Sequence, residues 1–336
     1  EFVNFFRFVV LGNQYFSQCL AFAFERLIGY GKKTNQLMTS KSKLQGVLLI
    51  ALGASSYGML ATFVKMAYSE GFTTPEVTIA QFIYGIIGIV LVNTIQKFKS
   101  KNQANTASAK TIIQLMVAGT SLGMTSVFYY LAVKYIPVSI AIVLLMQTVW
   151  MGVLFEMLLE KKIPSTQKII SVFVVLVGTA LATNIIENKL GTDWRGIVLG
   201  LLSAASFTTT MFTANRVGIN VSSAQRSLYM LLGGAVIVFT FSAFTQIGTL
   251  NFEIFKNYGL FLALFGTIIP PILLNAGFPK TGLGLGSIVA SLELPVSVLM
   301  AFLILNEKVV FWQWSGIVLI ILAIVIMNLN FSKKEH

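Results

Sequence analysis

Polar residues fall in short clusters along this chain, and the runs between them are long and apolar. From residue 44 onward ten such runs can be drawn, at 44–64, 77–95, 112–131, 138–159, 169–186, 196–214, 227–244, 260–276, 283–305 and 309–329. Each is close to the roughly 20 residues that a helix needs to cross the hydrocarbon core of a bilayer. The pattern therefore predicts an all-α integral membrane protein with ten transmembrane helices. The connections between runs are too short to hold a sizeable soluble domain.

Composition agrees with that pattern. Hydrophobic residues make up 56% of the 336 residues and charged residues 11%, with a mean hydropathy of +0.81. A soluble domain carries about 25% charged residues, which cover its surface. Cytoplasmic enzyme, nucleic-acid binder and disordered scaffold are all poor matches. The rare residues exclude further chemistry. A single cysteine, Cys19, allows no intramolecular disulfide and no thiolate metal site. The single histidine, His336, is the last residue, so no imidazole is available for zinc catalysis or a buried relay. Asp193 is the single aspartate, which argues against a two-metal carboxylate site. No metal and no cofactor is expected.

Charge then gives an orientation. With run 44–64 entering from the cytoplasm, sixteen lysines and arginines fall on the cytoplasmic side, among them Lys97, Lys99, Lys101, Lys161, Lys162, Arg216, Arg226 and Lys280. Six fall outside: Lys65, Lys134, Lys189, Arg195, Lys256 and Lys308. Both termini of the ten-helix unit are then cytoplasmic, and the cell membrane is the expected location, the inner membrane in a Gram-negative source. The net charge of +12 reads as topology, with no nucleic-acid partner implied. Residues 1–43 read as an N-terminal extension of uncertain status. Met38-Thr-Ser-Lys-Ser-Lys has the look of a native start, whereas 8–24 is apolar enough for an eleventh, amphipathic or spanning helix. Residues 332–336 form a basic C-terminal tail.

The chain also repeats itself. A shift of 147 residues aligns Gly119-Thr120 with Gly266-Thr267 and Glu160-Lys161 with Glu307-Lys308. A shift of 150 places Ala54-Ser55-Ser56-Tyr57 on Ala204-Ala205-Ser206-Phe207. The boundary falls so that 44–190 and 191–331 are five-helix repeats. An odd number of spans turns the second copy upside-down in the membrane. Inverted repeats of this kind recur among secondary transporters, whose sites lie near the midplane where the copies meet.

The stretch Ala132-Val-Lys-Tyr135, an apolar run ending Leu158-Leu-Glu-Lys161, and then Gln167 resemble the end of an EamA domain. Leu292-Glu-Leu-Pro295-Val, Asn306-Glu-Lys308 and Gln313-Trp314 resemble the same region of a second copy. Two such domains make the ten-helix transporters of the drug/metabolite transporter superfamily. The resemblance implies export or exchange of small metabolites, often amino acids or related compounds, through a central cavity. The first copy departs from the second in having Gln147-Thr148 where Leu294-Pro295 stands. Gln81 also sits where an arginine often opens the second helix, although Arg226 fills the repeat-related place.

Several residues are candidates for the transport pathway. Glu293 lies near the middle of the ninth run, where an ionised carboxylate costs several kcal/mol and needs a partner or a proton. It reads either as a structural glutamate bonded to a neighbouring helix or as a substrate or proton group. Pro295 cannot donate to the carbonyl of Ser291, so a kink is expected beside the carboxylate. Gln147 and Trp150 lie at similar depth and on one helical face; they suit a substrate wall or interhelical glue. Tyr57, Tyr84, Tyr130 and Gln81 could line the same cavity, Tyr130 also suiting an interfacial aromatic belt. Gly266-Thr-Ile-Ile-Pro270-Pro271 breaks the eighth helix, and Asn275 follows one turn on; such breaks serve binding sites or simple packing. Gly282, Gly284 and Gly286 read as close helix approach or a hinge rather than a dinucleotide loop. Glu156 is best explained by snorkelling or by pairing with a lysine. Arg226 reads as an interfacial anchor that could also meet an anionic substrate from the inner side.

The expected function is a secondary transporter moving a small organic metabolite by alternating access, with Glu293 as the candidate proton carrier. Its partners are then that metabolite, the lipid bilayer and protons, and the chain is a monomer or a homodimer. A flippase for lipids or lipid-linked intermediates is the alternative within transport. A membrane-embedded transferase would show clustered His, Asp or Arg near one interface, and a non-transporting receptor would not need midplane features such as Glu293 and Pro295.

Overall fold

The computed structural model describes residues 40–99, 107–136, 138–183, 193–246, 248–306 and 308–328. The suggested start at Met38, the apolar stretch 8–24, Glu307 of the repeated Glu-Lys pair and the tail 332–336 lie outside the described residues. Within them every regular element is a helix. In chain order these are α1 (Ser40–Ser69), α2 (Thr74–Lys99), α3 (Ala109–Val133), α4 (Val138–Leu145), α5 (Thr148–Glu160) and α6 (Thr166–Ala182). Next come α7 (Trp194–Arg216), α8 (Ser223–Thr245), α9 (Phe255–Thr281), α10 (Leu283–Ala290), α11 (Glu293–Ile304) and α12 (Phe311–Asn328). Eight spans, with α4–α5 and α10–α11 each taken together, are long and apolar enough to cross a membrane. The shorter α6 and α12 are also apolar.

Serine side chains start three of these helices. Ser108, Ser165 and Ser222 accept hydrogen bonds from the backbone N–H groups of Thr111, Lys168 and Gln225, which supplies an acceptor for a donor that has no partner inside the helix. Asp193 does the same for α7 through the N–H of Arg195.

Most of the extensive helix pairings recur when α1–α6 are exchanged for α7–α12. Helix α3 packs on α7, and α9 on α1; α4 and α5 pack on α7, and α10 and α11 on α1. The pairs α2–α8 and α6–α12 map onto themselves, whereas the close pair α5–α10 has no such counterpart. Small residues allow the closest approaches, as expected where neighbouring helices associate by packing rather than by exclusion of water. At Gly119 a β-carbon would collide with the backbone of Met230, and at Gly316 with the backbone of Gly178 and Ala182.

The backbone refines the repeat. Helix α4 ends before Met146 and α10 before Ser291, Lys161 and Asn306 are the two left-handed non-glycine residues among those described, and α6 and α12 start at Thr166 and Phe311. Each of these pairs is 145 residues apart, two fewer than the shift that aligns the sequence strings. Apolar helices match at more than one shift, whereas breaks and caps fix a register.

The two ends of the bundle are tied separately. At one end, the basic end, Lys280 donates to Gln45 (2.8 Å), Arg216 pairs with Glu160 (3.3 Å) and Asn215 donates to the carbonyl of Phe278 (2.6 Å). At the other, the far end, the Glu76 carboxylate accepts from the N–H groups of Thr73 (2.7 Å) and Asn251 (2.9 Å), and Tyr258 donates to Glu70.

Candidate functional site

A cavity of about 450 Å³ lies inside the bundle between α1, α2, α3, α4, α6, α9, α11 and the start of α12. Its lining includes Lys65 and Tyr68 near the end of α1, Val133 at the end of α3, Thr183 after α6, and Lys308 before α12. All of these lie at the far end, so the cavity opens there.

Glu293 lies deep in this cavity. It is the first residue of α11, directly after the Ser291-Leu292 break, so the positive end of that helix's dipole is beside its carboxylate. Gly58 lets it sit there: a β-carbon on Gly58 would lie 2.5 Å from the Glu293 carbonyl oxygen and 2.8 Å from Val296 Cβ. The side chain is half-buried, and its carboxylate makes no hydrogen bond or ion pair with another described residue. The break takes a different form from the expected kink at Pro295. Pro295 occupies the first turn of α11, where its missing N–H costs little, and the Ser291 carbonyl accepts from the N–H of Leu294 at 3.2 Å.

Tyrosines share the cavity with the carboxylate. Tyr57 and the adjacent pair Tyr129 and Tyr130 line the cavity, the latter two edge to face with ring centres 5.9 Å apart. Tyr130 therefore faces inward, whatever its depth. Gln81 also lines the cavity, buried, with its amide against Gly266, while its backbone carbonyl accepts from Thr267 Oγ1 at 3.1 Å. Two consecutive tyrosines on α3 were the one sequence signal for Tyr129. Nothing in the sequence singled out Phe82, Met146, Thr183 or Thr62 as lining residues.

Other sequence candidates lie elsewhere. Gln147 and Trp150 hydrogen-bond to each other (2.9 Å), and Gln147 also donates to the carbonyl of Val143 (2.9 Å). Trp150 is exposed on the outside of the bundle, and Met146 lines the cavity in their place. Tyr84 packs edge-on against Phe255, with ring centres 5.7 Å apart, and against Gly259, outside the cavity lining. Pro270 and Pro271 do come after an irregular stretch, a π-helical turn at Leu264–Ile268; Gly266 and Thr267 from that turn reach the cavity.

Asn275 belongs to a polar cluster nearer the basic end. Arg226 is not an interfacial anchor: it is 2% exposed. Its guanidinium donates to the carbonyls of Val217 (2.9 Å), Asn275 (2.6 Å), Thr213 and Ala214. Three of these close α7, whose last carbonyls lack partners within the helix, and the fourth ties α7 and α8 to α9. Asn275 Nδ2 donates to Ser227 Oγ at 2.8 Å. Between this cluster and the main cavity lies a second, small void of about 20 Å³, lined by Phe207, Met211, Pro271, Asn275 and Phe278 among others. Tyr57 lines both spaces and meets Phe207 edge-on at 6.2 Å.

The glycine run marks the junction of α9 and α10. Gly282 has φ +81 and connects the two helices. Gly282 and Gly284 lie against the Glu156 carboxylate, and Gly286 against the Phe278 ring. Glu156 pairs with Lys168, as its position near the basic end suggested.

Comparison with known proteins agrees with this architecture. A model of the EamA-like transporter family matches residues 44–184 and again 194–329. A solved structure, described only as "Crystal structure of protein", is similar over 85% of this chain and 97% of its own, with a TM-score of 0.69 at 14% identity. No curated protein matches the chain.

Proposed function

The chain belongs to the EamA-like transporter family and is a multi-pass membrane transporter; from that premise we propose that it is a ten-helix secondary transporter of two inverted five-helix repeats. It exports or exchanges a small organic metabolite, an amino acid or related compound, by alternating access. The observation that carries this reading is the shape of the interior. One cavity reaches from the far end to Glu293 and stops, and the basic end beyond it is sealed by the Arg226 cluster and the core around Phe278. An interior open to one side and closed to the other is one half of an alternating-access cycle, the other half requiring the opposite end to open.

The packing supports the inverted pair: most of the extensive helix pairings recur when the two family-matched segments are exchanged. Under the charge-based orientation the basic end is cytoplasmic, the protein sits in the cell membrane, and the cavity faces outward. Glu293, Tyr57 and Gln81 meet the substrate, and Glu293 carries a proton in the coupled step. Asn275, with Arg226, closes the inner path. Pro270, Pro271 and Gly282 mark where α9 and α10 change direction as that path opens.

The test is counterflow in proteoliposomes at several pH values, comparing the wild type with Glu293→Gln and using circular dichroism to confirm folding. The expected result is lost or pH-independent flux in a folded variant. Unchanged flux with unchanged pH dependence overturns the role of Glu293. No counterflow of any metabolite by the wild type overturns transport.

A further inference from the structure

The charge inventory of the cavity points to what binds there. Among the described residues Glu293 is the one carboxylate lining it, and it has no hydrogen-bond or ion-pair partner there. An ionised group inside the protein interacts more strongly with an entering charge than one on the surface does. Two lysines also line the space, but neither forms an ion pair with the carboxylate. Glu293 sits at the level of Gly58 on α1. Lys65 is seven residues farther along that helix, about 10 Å at the helical rise. Lys308 is exposed where the cavity opens.

The rest of the wall is aromatic and apolar. Tyr57, Tyr129, Tyr130 and Phe82 offer ring surfaces, whose negative faces attract a cation. The edge-to-face setting of Tyr129 and Tyr130 presents two differently oriented rings to one occupant. An incoming carboxylate would meet a like charge at Glu293 and find no cation at that depth. A cavity of about 450 Å³ falls within the range of small-ligand sites.

We infer that the cavity recognises its substrate through a protonated amine held by Glu293, with the compound's apolar body against the tyrosine rings. The amine site rests on the transport reading only for the step after binding, and binding is measured separately from movement. A further carboxylate on the ligand is tolerated when it points toward the opening, where Lys308 lies exposed.

The experiment is calorimetric titration of the purified full chain in detergent with phenethylamine, isoamylamine, phenylalanine and 3-phenylpropionate. At least one amine binds and 3-phenylpropionate does not. Glu293→Gln weakens the amine by about tenfold or more, the effect of losing a charged hydrogen bond. Where Glu293→Gln does not fold, protection of Glu293 in the wild type from carbodiimide labelling by phenethylamine, read by mass spectrometry, replaces it. Absence of binding by both amines, equal binding of 3-phenylpropionate, or unchanged affinity in a folded Glu293→Gln overturns the amine site. Amine binding with no counterflow of any metabolite leaves the site standing and removes the transport reading.

Discussion

Gln167 and Gln313 each reach across to the last turn of the other's helix. Gln167, at the start of α6, donates to the carbonyl of Ile326 near the end of α12. Gln313, at the start of α12, donates to the carbonyl of Ala182 at the end of α6 (3.2 Å) and accepts from the N–H of Val310 (3.0 Å). The last carbonyls of a helix have no partner within it, and here each short helix supplies the other's missing donor. The pair is thus bound antiparallel at both ends, with Gly178 and Gly316 in contact between them.

Replacing either glutamine with alanine strands a carbonyl and is expected to cost about 1–3 kcal/mol of stability. The two sites lie at opposite ends of the helix pair and share no partner, so the double variant should show the sum of the two losses. Thermal unfolding in detergent measures all three variants. A double variant no less stable than either single one would mean that the two ends do not act independently.

Gly58 sets the position of Glu293. Gly58→Ala puts a β-carbon against the Glu293 carbonyl oxygen, and overpacking of this kind costs about 1–3 kcal/mol. Ala61, three residues on, lines the cavity and has exposed surface there. Ala61→Leu should leave the melting temperature near that of the wild type and weaken ligand binding by filling space. The two variants therefore separate helix packing from cavity volume.

Tyr57 and Leu122 line both the main cavity and the small void beneath it, and Tyr57 is the larger of the two. In a Cys19→Ser background carrying Met211→Cys, the thiol lines that void. Adding Tyr57→Ala should raise its labelling by an impermeant maleimide applied from the far side. Equal labelling with and without Tyr57 would show that another layer forms the barrier.

Arg226 holds α7, α8 and α9 together through carbonyls in several directions. Arg226→Lys keeps the charge but lacks the planar fork, so it cannot serve those acceptors together. It is expected to be destabilised by about 1–3 kcal/mol or more, the cost of a buried acceptor left without a donor. Ser227→Ala, which removes only the acceptor for Asn275 Nδ2, should be milder. Thermal shift in detergent ranks the two, and equal stability of Arg226→Lys and the wild type would contradict this role.

How much of this was legible in the chain alone depends on the kind of property. The apolar runs, the scarcity of charge and the duplicated strings established a membrane protein with many helices and a single acidic residue near mid-span. Those properties depend on residue type and order alone, because the bilayer fixes helix length and penalises a buried charge wherever it faces. Rotation about each helix axis was different. A helix that is apolar all round has no polar stripe to mark its outer side, so Gln147 and Trp150 could not be told from cavity residues until packing turned them outward. The same packing turned Tyr129 and Tyr130 inward and buried Arg226 against carbonyls. The sequence by itself decided what crosses the membrane and where its one deep carboxylate lies; only the tertiary structure decided which faces meet, because lipid and protein interior select for the same side chains.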